Sequence, residues 1–166
     1  MRYFSLSLAL VFLWSCHTKS LNSHNTQYDD HVAIQLVLSQ TLDLISGPAG
    51  PRDFKSFKDM FTPDASIGVS QDGKYYTFTP QQYEERNGPF FEENDFYEEQ
   101  VSVDISFWKG IAEAKQAYHI FLGNPATAPI DKRGINYYRL VKIDDKWKIQ
   151  SIVFATYQEG EALPIQ

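Results

Sequence analysis

Apolar residues recur at helical spacing in the first half of the chain and give way to strand-like alternation in the second. Ile34, Val37, Leu38, Thr41 and Ile45 fall on one helical stripe. They lie in a segment, Tyr28 to Ser46, that is apolar nearly all round and is expected to be largely buried. Asp29 and Asp30 stand at its expected start, where carboxylates suit the helix dipole, and Gly47-Pro48 stops it. Pro51 opens a second, shorter helix with Phe54, Phe57 and Phe61 on one face. Residues 64–78 read as a short strand or hairpin, with a turn at Gln71-Asp72-Gly73. Thr79-Pro80-Gln81-Gln82 matches a capping box. It predicts a third helix from Pro80 to about Arg86, ended by Asn87-Gly88-Pro89. Strands are expected over Glu99 to Trp108, Ile111 to Leu122, and Ile135 to Tyr157, the last broken by a turn at Asp144-Asp145. Helices followed by an antiparallel meander form an α+β order. Three N-terminal helices packed on one curved antiparallel sheet predict a cone-shaped α+β barrel with a pocket.

The N-terminus has a different character. Met1-Arg2 precedes an apolar run from Tyr3 to Trp14. That run is short of the roughly 20 residues a bilayer span needs and fits a signal peptide. Leu13-Trp14-Ser15-Cys16 resembles a bacterial lipobox, departing from it at Trp14. Residues 1–15 are therefore expected to be a lipoprotein signal peptide, with Cys16 the lipidated residue. Residues 16–27, polar and rich in Ser, Thr, Asn and His, read as a flexible tether. The folded domain is expected over 28–160 and a short C-terminal tail over 161–166. The expected location is the bacterial cell envelope, lipid-anchored, with the outer membrane favoured because His17 is not the Asp that signals inner-membrane retention in enteric bacteria.

Composition narrows the function. The chain of 166 residues is 43% hydrophobic and 22% charged, which excludes disorder as its main state. A net charge of −6 removes the basic footprint of a nucleic-acid binder. One cysteine excludes a disulfide framework or a multi-cysteine metal site, and the four histidines lack zinc spacing. No glycine-rich phosphate loop is present. No metal and no cofactor is expected. The stretch from Glu84 to Glu99 is acidic and reads as a solvated loop without the spacing of a calcium site.

Two segments carry a resemblance. Phe54-x-x-Phe57-x-x-x-Phe61-Thr62-Pro63-Asp64-Ala65 looks like the second helix of the nuclear transport factor two-like superfamily and the turn after it. Arg133-Gly134-Ile135-Asn136, Leu140, and Asp145-x-Trp147-x-Ile149-x-Ser151-Ile152 look like its last hairpin. The superfamily includes SnoaL-like cyclases, ketosteroid isomerase and scytalone dehydratase. The resemblance spans about residues 28–158 and implies the cone fold. Enzymes of this type use a buried Asp or His as base, with Tyr or Asp holding the developing enolate. Family members commonly pair by packing their sheets together.

Pairing outward from a two-residue turn at Lys109-Gly110 assigns faces. It sets Phe107 opposite Ala112, Ile105 opposite Ala114, Val103 opposite Gln116 and Val101 opposite Tyr118, an apolar inner face. Asp104 opposite Lys115, and Gln100 opposite His119, then face solvent. The same pairing about Asp144-Asp145 sets Leu140 opposite Ile149, Tyr138 opposite Ser151 and Asn136 opposite Val153. Gln116, Tyr118, Asn136, Tyr138 and Ser151 are thus expected to line the pocket, with Tyr76 and Tyr83 near its mouth. Ile135, Tyr137, Ile152 and Phe154 fall on the outer face as an apolar patch, the expected homodimer interface. Asp59, Asp64 and His31, near helix ends, stand as further acid–base candidates.

These residues support a membrane-anchored envelope protein whose domain binds a hydrophobic small molecule. Two other readings stand beside it: a cofactor-independent isomerase, dehydratase or cyclase acting by acid–base catalysis, and a dimerisation module of an envelope assembly. A buried carboxylate or imidazole with a displaced pKa is the feature that separates the enzyme from the binder.

Overall fold

Ile34, Leu38, Leu42 and Ile45 are almost fully buried and lie along one side of α1 (Ser20–Ile45). The computed structural model describes residues 20–71 and 73–157, with side chains from residue 27 onward. Cys16, the signal-peptide run and the tail with Leu163 and Ile165 lie outside the described residues. The helix starts at Ser20 rather than Tyr28, so part of the segment read as a tether is helical. Asp29 and Asp30 therefore sit inside it. Asp30 Oδ1 accepts 2.8 Å and 2.9 Å hydrogen bonds from Lys142 Nζ and Trp147 Nε1 of the last hairpin. Only one face of α1 is buried, since Val32 and Leu36 stand in solvent.

The short helix α2 (Phe54–Asp59) is capped by Asp53, whose carboxylate accepts from Ser56 N–H at 3.0 Å. Strands β1 (Phe61–Gln71) and β2 (Lys74–Phe78) form the expected hairpin. Helix α3 (Pro80–Glu93) begins with the full capping box on Thr79 and Gln82. It does not stop at Asn87-Gly88-Pro89 but continues through Pro89. Packing outweighs the proline penalty of about 3 kcal/mol. The extra turn carries Phe90 and Phe91, and Phe91 lies 4.9 Å from Phe96 and 6.2 Å from Phe54 between ring centres.

Four long strands complete the sheet: β3 (Tyr97–Trp108), β4 (Ile111–Phe121), β5 (Lys132–Ile143) and β6 (Lys146–Tyr157). The six strands run in the order β2-β1-β6-β5-β4-β3. Only β1 and β6 are parallel. Both predicted two-residue turns form, with positive φ at Lys109, Gly110, Asp144 and Asp145. The helices cover one face of the curled sheet, and the core lies between them. The segment read as an acidic loop is divided between α3 and β3, and only Asn94 to Phe96 connects them.

Candidate functional site

Two β-bulges decide which side chains reach the interior. From the Lys109-Gly110 turn, β3 and β4 pair as the spacing predicts as far as Ser102 opposite Ala117. The next pair is Gln100 with Tyr118. Val101 is the extra residue, and it is exposed. An inserted residue turns every side chain beyond it to the opposite face. Gln100 and Glu98 therefore turn inward, and Glu99 takes the place opposite His119.

The second bulge lies between Arg139 and Leu140 on the pairing of β5 with β6. Arg139 pairs with Ser151 and Leu140 with Ile149, leaving Gln150 over. This corrects three expectations. Ser151 faces outward and does not line the pocket. Ile152 pairs with Tyr138 and Phe154 with Asn136, so both face the interior and neither belongs to an outer patch. Of the expected interface, only Ile135 and Tyr137 remain outside, Ile135 buried in the ladder between Ala117 and Ala155 and Tyr137 exposed.

The interior holds a cavity of about 250 Å³ between the helices and the sheet. Leu42, Ile45, Phe57, Ile67, Phe91 and Ile152 give it apolar walls. Tyr83, Tyr118, Asn136 and Tyr138 line it. Tyr76 does not; it projects from the edge strand, largely exposed. Gln116 is fully buried behind the lining rather than in it. Its Oε1 accepts hydrogen bonds from Tyr138 OH at 3.0 Å and Asn136 Nδ2 at 3.1 Å. Its Nε2 donates to Gln100 Oε1 at 2.8 Å. That wall satisfies itself and is held rigid.

Tyr118 reaches its place because residue 134 is glycine. A Cβ there would collide with the Tyr118 ring, which lies across the β5 backbone.

Glu98 is the residue the pattern did not reveal. It is half-buried and lines the cavity with the three tyrosines. No described side chain hydrogen-bonds its carboxyl. Burial pushes that carboxyl up to about 8. Burial first, and the Glu98 charge second, push the hydroxyls of Tyr83, Tyr118 and Tyr138 above their usual range. At neutral pH Glu98 is mostly protonated and can donate a hydrogen bond. Its carboxylate, once formed, is a far stronger base than a solvated one.

The position of Glu98 is fixed from outside the cavity by Arg52. The guanidinium donates to the carbonyls of Ile45, Gly47, Pro48 and Gly50 at 2.7–2.9 Å. This closes the C-terminus of α1 and shapes the loop after it. Ser46 Oγ in that loop accepts from Glu98 N–H at 2.9 Å, and Gly47 pairs with Phe96.

The other candidates lie elsewhere. Asp59 and Asp64 are exposed, and Asp64 Oδ1 accepts from Thr62 Oγ1 at 2.8 Å. His31 packs on Phe107 at 6.3 Å between ring centres. None of the three lines the cavity. Asp104 is exposed opposite Lys115. His119 lies on the outer face beside Arg133, and burial followed by the Arg133 charge lowers its pKa. Among the described residues no three His, Cys, Asp or Glu side chains converge as a metal site would require.

No family model matches the chain. No curated protein matches it either. Solved structures do. An NTF2-like protein with a cystatin-like fold from Novosphingobium aromaticivorans superposes with a TM-score of 0.71 at 11% identity, over 90% of this chain and 95% of that one. The fold is NTF2-like. A protein of unknown function from Mycobacterium tuberculosis gives a TM-score of 0.68 at 17% identity, over 85% of this chain and 79% of that one. A candidate dehydratase of the NTF2-like family from Streptomyces avermitilis gives 0.62 at 12% identity, over 80% and 99%. Identities this low establish the NTF2-like architecture and leave the chemistry to the site.

Proposed function

We propose that this NTF2-like domain binds a small, largely apolar molecule bearing a carbonyl or hydroxyl oxygen, and that Glu98 moves a proton on it. One observation carries the reading: a carboxyl raised to about 8 in a cavity of apolar walls and tyrosine hydroxyls. Displaced carboxyls of this kind concentrate at catalytic sites. The reaction class is acid–base isomerisation or dehydration without a cofactor, in keeping with the fold's likeness to the candidate dehydratase from Streptomyces avermitilis. In such a step the Glu98 carboxylate removes a proton from the carbon beside a carbonyl. A tyrosine hydroxyl stabilises the enolate oxygen, and the carboxyl then returns a proton.

Deuterium exchange tests it. The full-length chain incubated in D₂O with propiophenone is expected to exchange the protons beside the carbonyl, and Glu98→Gln to abolish that exchange. Equal exchange by both proteins removes Glu98 from the chemistry.

The alternative is a binder without turnover. The self-satisfied wall of Gln100, Gln116, Asn136 and Tyr138 favours it, because a rigid preformed site is what binding alone requires. Propiophenone bound but not exchanged is its signature.

We further propose that Cys16 is lipidated and holds the domain on the bacterial envelope, at the outer membrane. Two copies are proposed to associate through the sheet face that carries Tyr137. The support for these is the Leu13-to-Cys16 motif and the exposed Tyr137 on β5.

A further inference from the structure

Glu98 stands at one edge of the curled sheet, on β3, and the cavity runs from there to the other edge. At that far edge lies β2, whose Phe78 also lines the cavity. Arg86 projects from α3 over the Phe78 ring, its guanidinium carbon 5.0 Å from the ring centre. Among the described residues it is the one cation that lines the cavity, as Glu98 is the one acid. No ion pair joins Arg86 to Glu98 among the described residues. No described carboxylate pairs with Arg86. Gln71 and Thr156, both exposed, also line the cavity, from the neighbouring strands β1 and β6.

A guanidinium resting over an aromatic ring at this distance makes a cation–π contact and still has N–H groups to donate. Those groups match a carboxylate in two-point fashion. The ring contact also limits the rotamers the long side chain must lose on binding. The walls that Arg86 and Glu98 share are mostly apolar, with the hydroxyls of Tyr83, Tyr118 and Tyr138 and the amide of Asn136 among them. The site thus has an exposed cation on one side, largely apolar walls, and a mostly neutral hydrogen-bond donor, Glu98, at the opposite edge of the sheet.

We propose that the ligand is an amphipathic carboxylate: its carboxylate is held by Arg86 at the mouth, its apolar body fills the middle, and its carbonyl or hydroxyl oxygen faces Glu98. This rests on the small-molecule reading of the same cavity and adds the ligand's charge and orientation.

The two can fail separately. Benzoylpropionate, its primary amide and propiophenone are titrated by calorimetry into the full-length chain, Arg86→Gln and Arg86→Lys. Arg86 is exposed, so both variants are expected to fold with unchanged circular dichroism. Benzoylpropionate is expected to bind the native chain about tenfold or more tighter than the amide, the order of one charge-assisted hydrogen bond. Arg86→Gln is expected to erase that preference and leave amide binding unchanged, and Arg86→Lys to restore part of it. Equal affinity for acid and amide, or a preference that survives Arg86→Gln, overturns the carboxylate assignment and leaves the small-molecule reading standing. Failure of all three compounds to bind overturns both.

Discussion

Gln116 Nε2 donates a 2.8 Å hydrogen bond to Gln100 Oε1, joining two strands on the inner face immediately beside the bulge at Val101. The bond anchors the first inward residue beyond the bulge. Glu98 follows two residues further along, on the same face. One inserted valine thus converts an acidic strand end from a solvated edge into the polar end of an apolar cavity.

The raised carboxyl makes stability depend on pH. Glu98 holds its proton in the folded state up to about pH 8, whereas the unfolded side chain loses it near 4.5. Between those values the folded state binds more protons, so stability falls as pH rises. Thermal denaturation is expected to show Glu98→Gln gaining on the native chain through this window and holding its full advantage above pH 8. At pH 4 the two are expected to melt together. A Tm difference independent of pH would refute the displaced carboxyl.

Gln116 is the hub of the buried wall. Gln116→Leu removes the acceptor of Tyr138 OH and Asn136 Nδ2 at once. Those groups still share the 3.2 Å contact from Asn136 Nδ2 to Tyr138 OH, which limits the loss. A cost of about 2–4 kcal/mol is expected in chemical denaturation, from the burial of imperfectly paired polar groups.

Gly134 and Tyr118 are coupled by shape. Gly134→Ala is expected to cost about 1–3 kcal/mol, because the new methyl group displaces the Tyr118 ring. Tyr118→Ala alone should cost about 3–5 kcal/mol as an aromatic truncation in the core. In the Tyr118→Ala background the glycine substitution is expected to cost little. A double-mutant cycle that comes out additive would place the ring elsewhere.

Arg52 makes four hydrogen bonds to main-chain carbonyls, which a lysine ammonium cannot reproduce in one plane. Arg52→Lys is expected to lower stability by about 1–3 kcal/mol. It should also weaken propiophenone binding, since the loop it shapes receives the Glu98 N–H. Asp104→Ala provides the contrast. That residue is exposed on the outer face and is expected to change neither stability nor binding measurably.

The chain's own pattern determined the order of elements, both tight turns, the helical stripe of Ile34, Leu38 and Ile45, and the inward placement of Tyr118, Asn136 and Tyr138. These depend on local periodicity and turn chemistry, which act over a few residues. The length of α3 was decided by tertiary packing, because Phe90 and Phe91 against Phe96 and Phe54 outweigh a proline that local rules treat as a stop. The faces beyond Val101 and Gln150 were likewise settled only in the folded sheet. A bulge has no period, and nothing in alternation marks which residue will be left unpaired. Each strand accepts one extra residue where the curled sheet needs to bend, and that choice sent Ser151 outward, Ile152 and Phe154 inward, and Glu98 into the cavity.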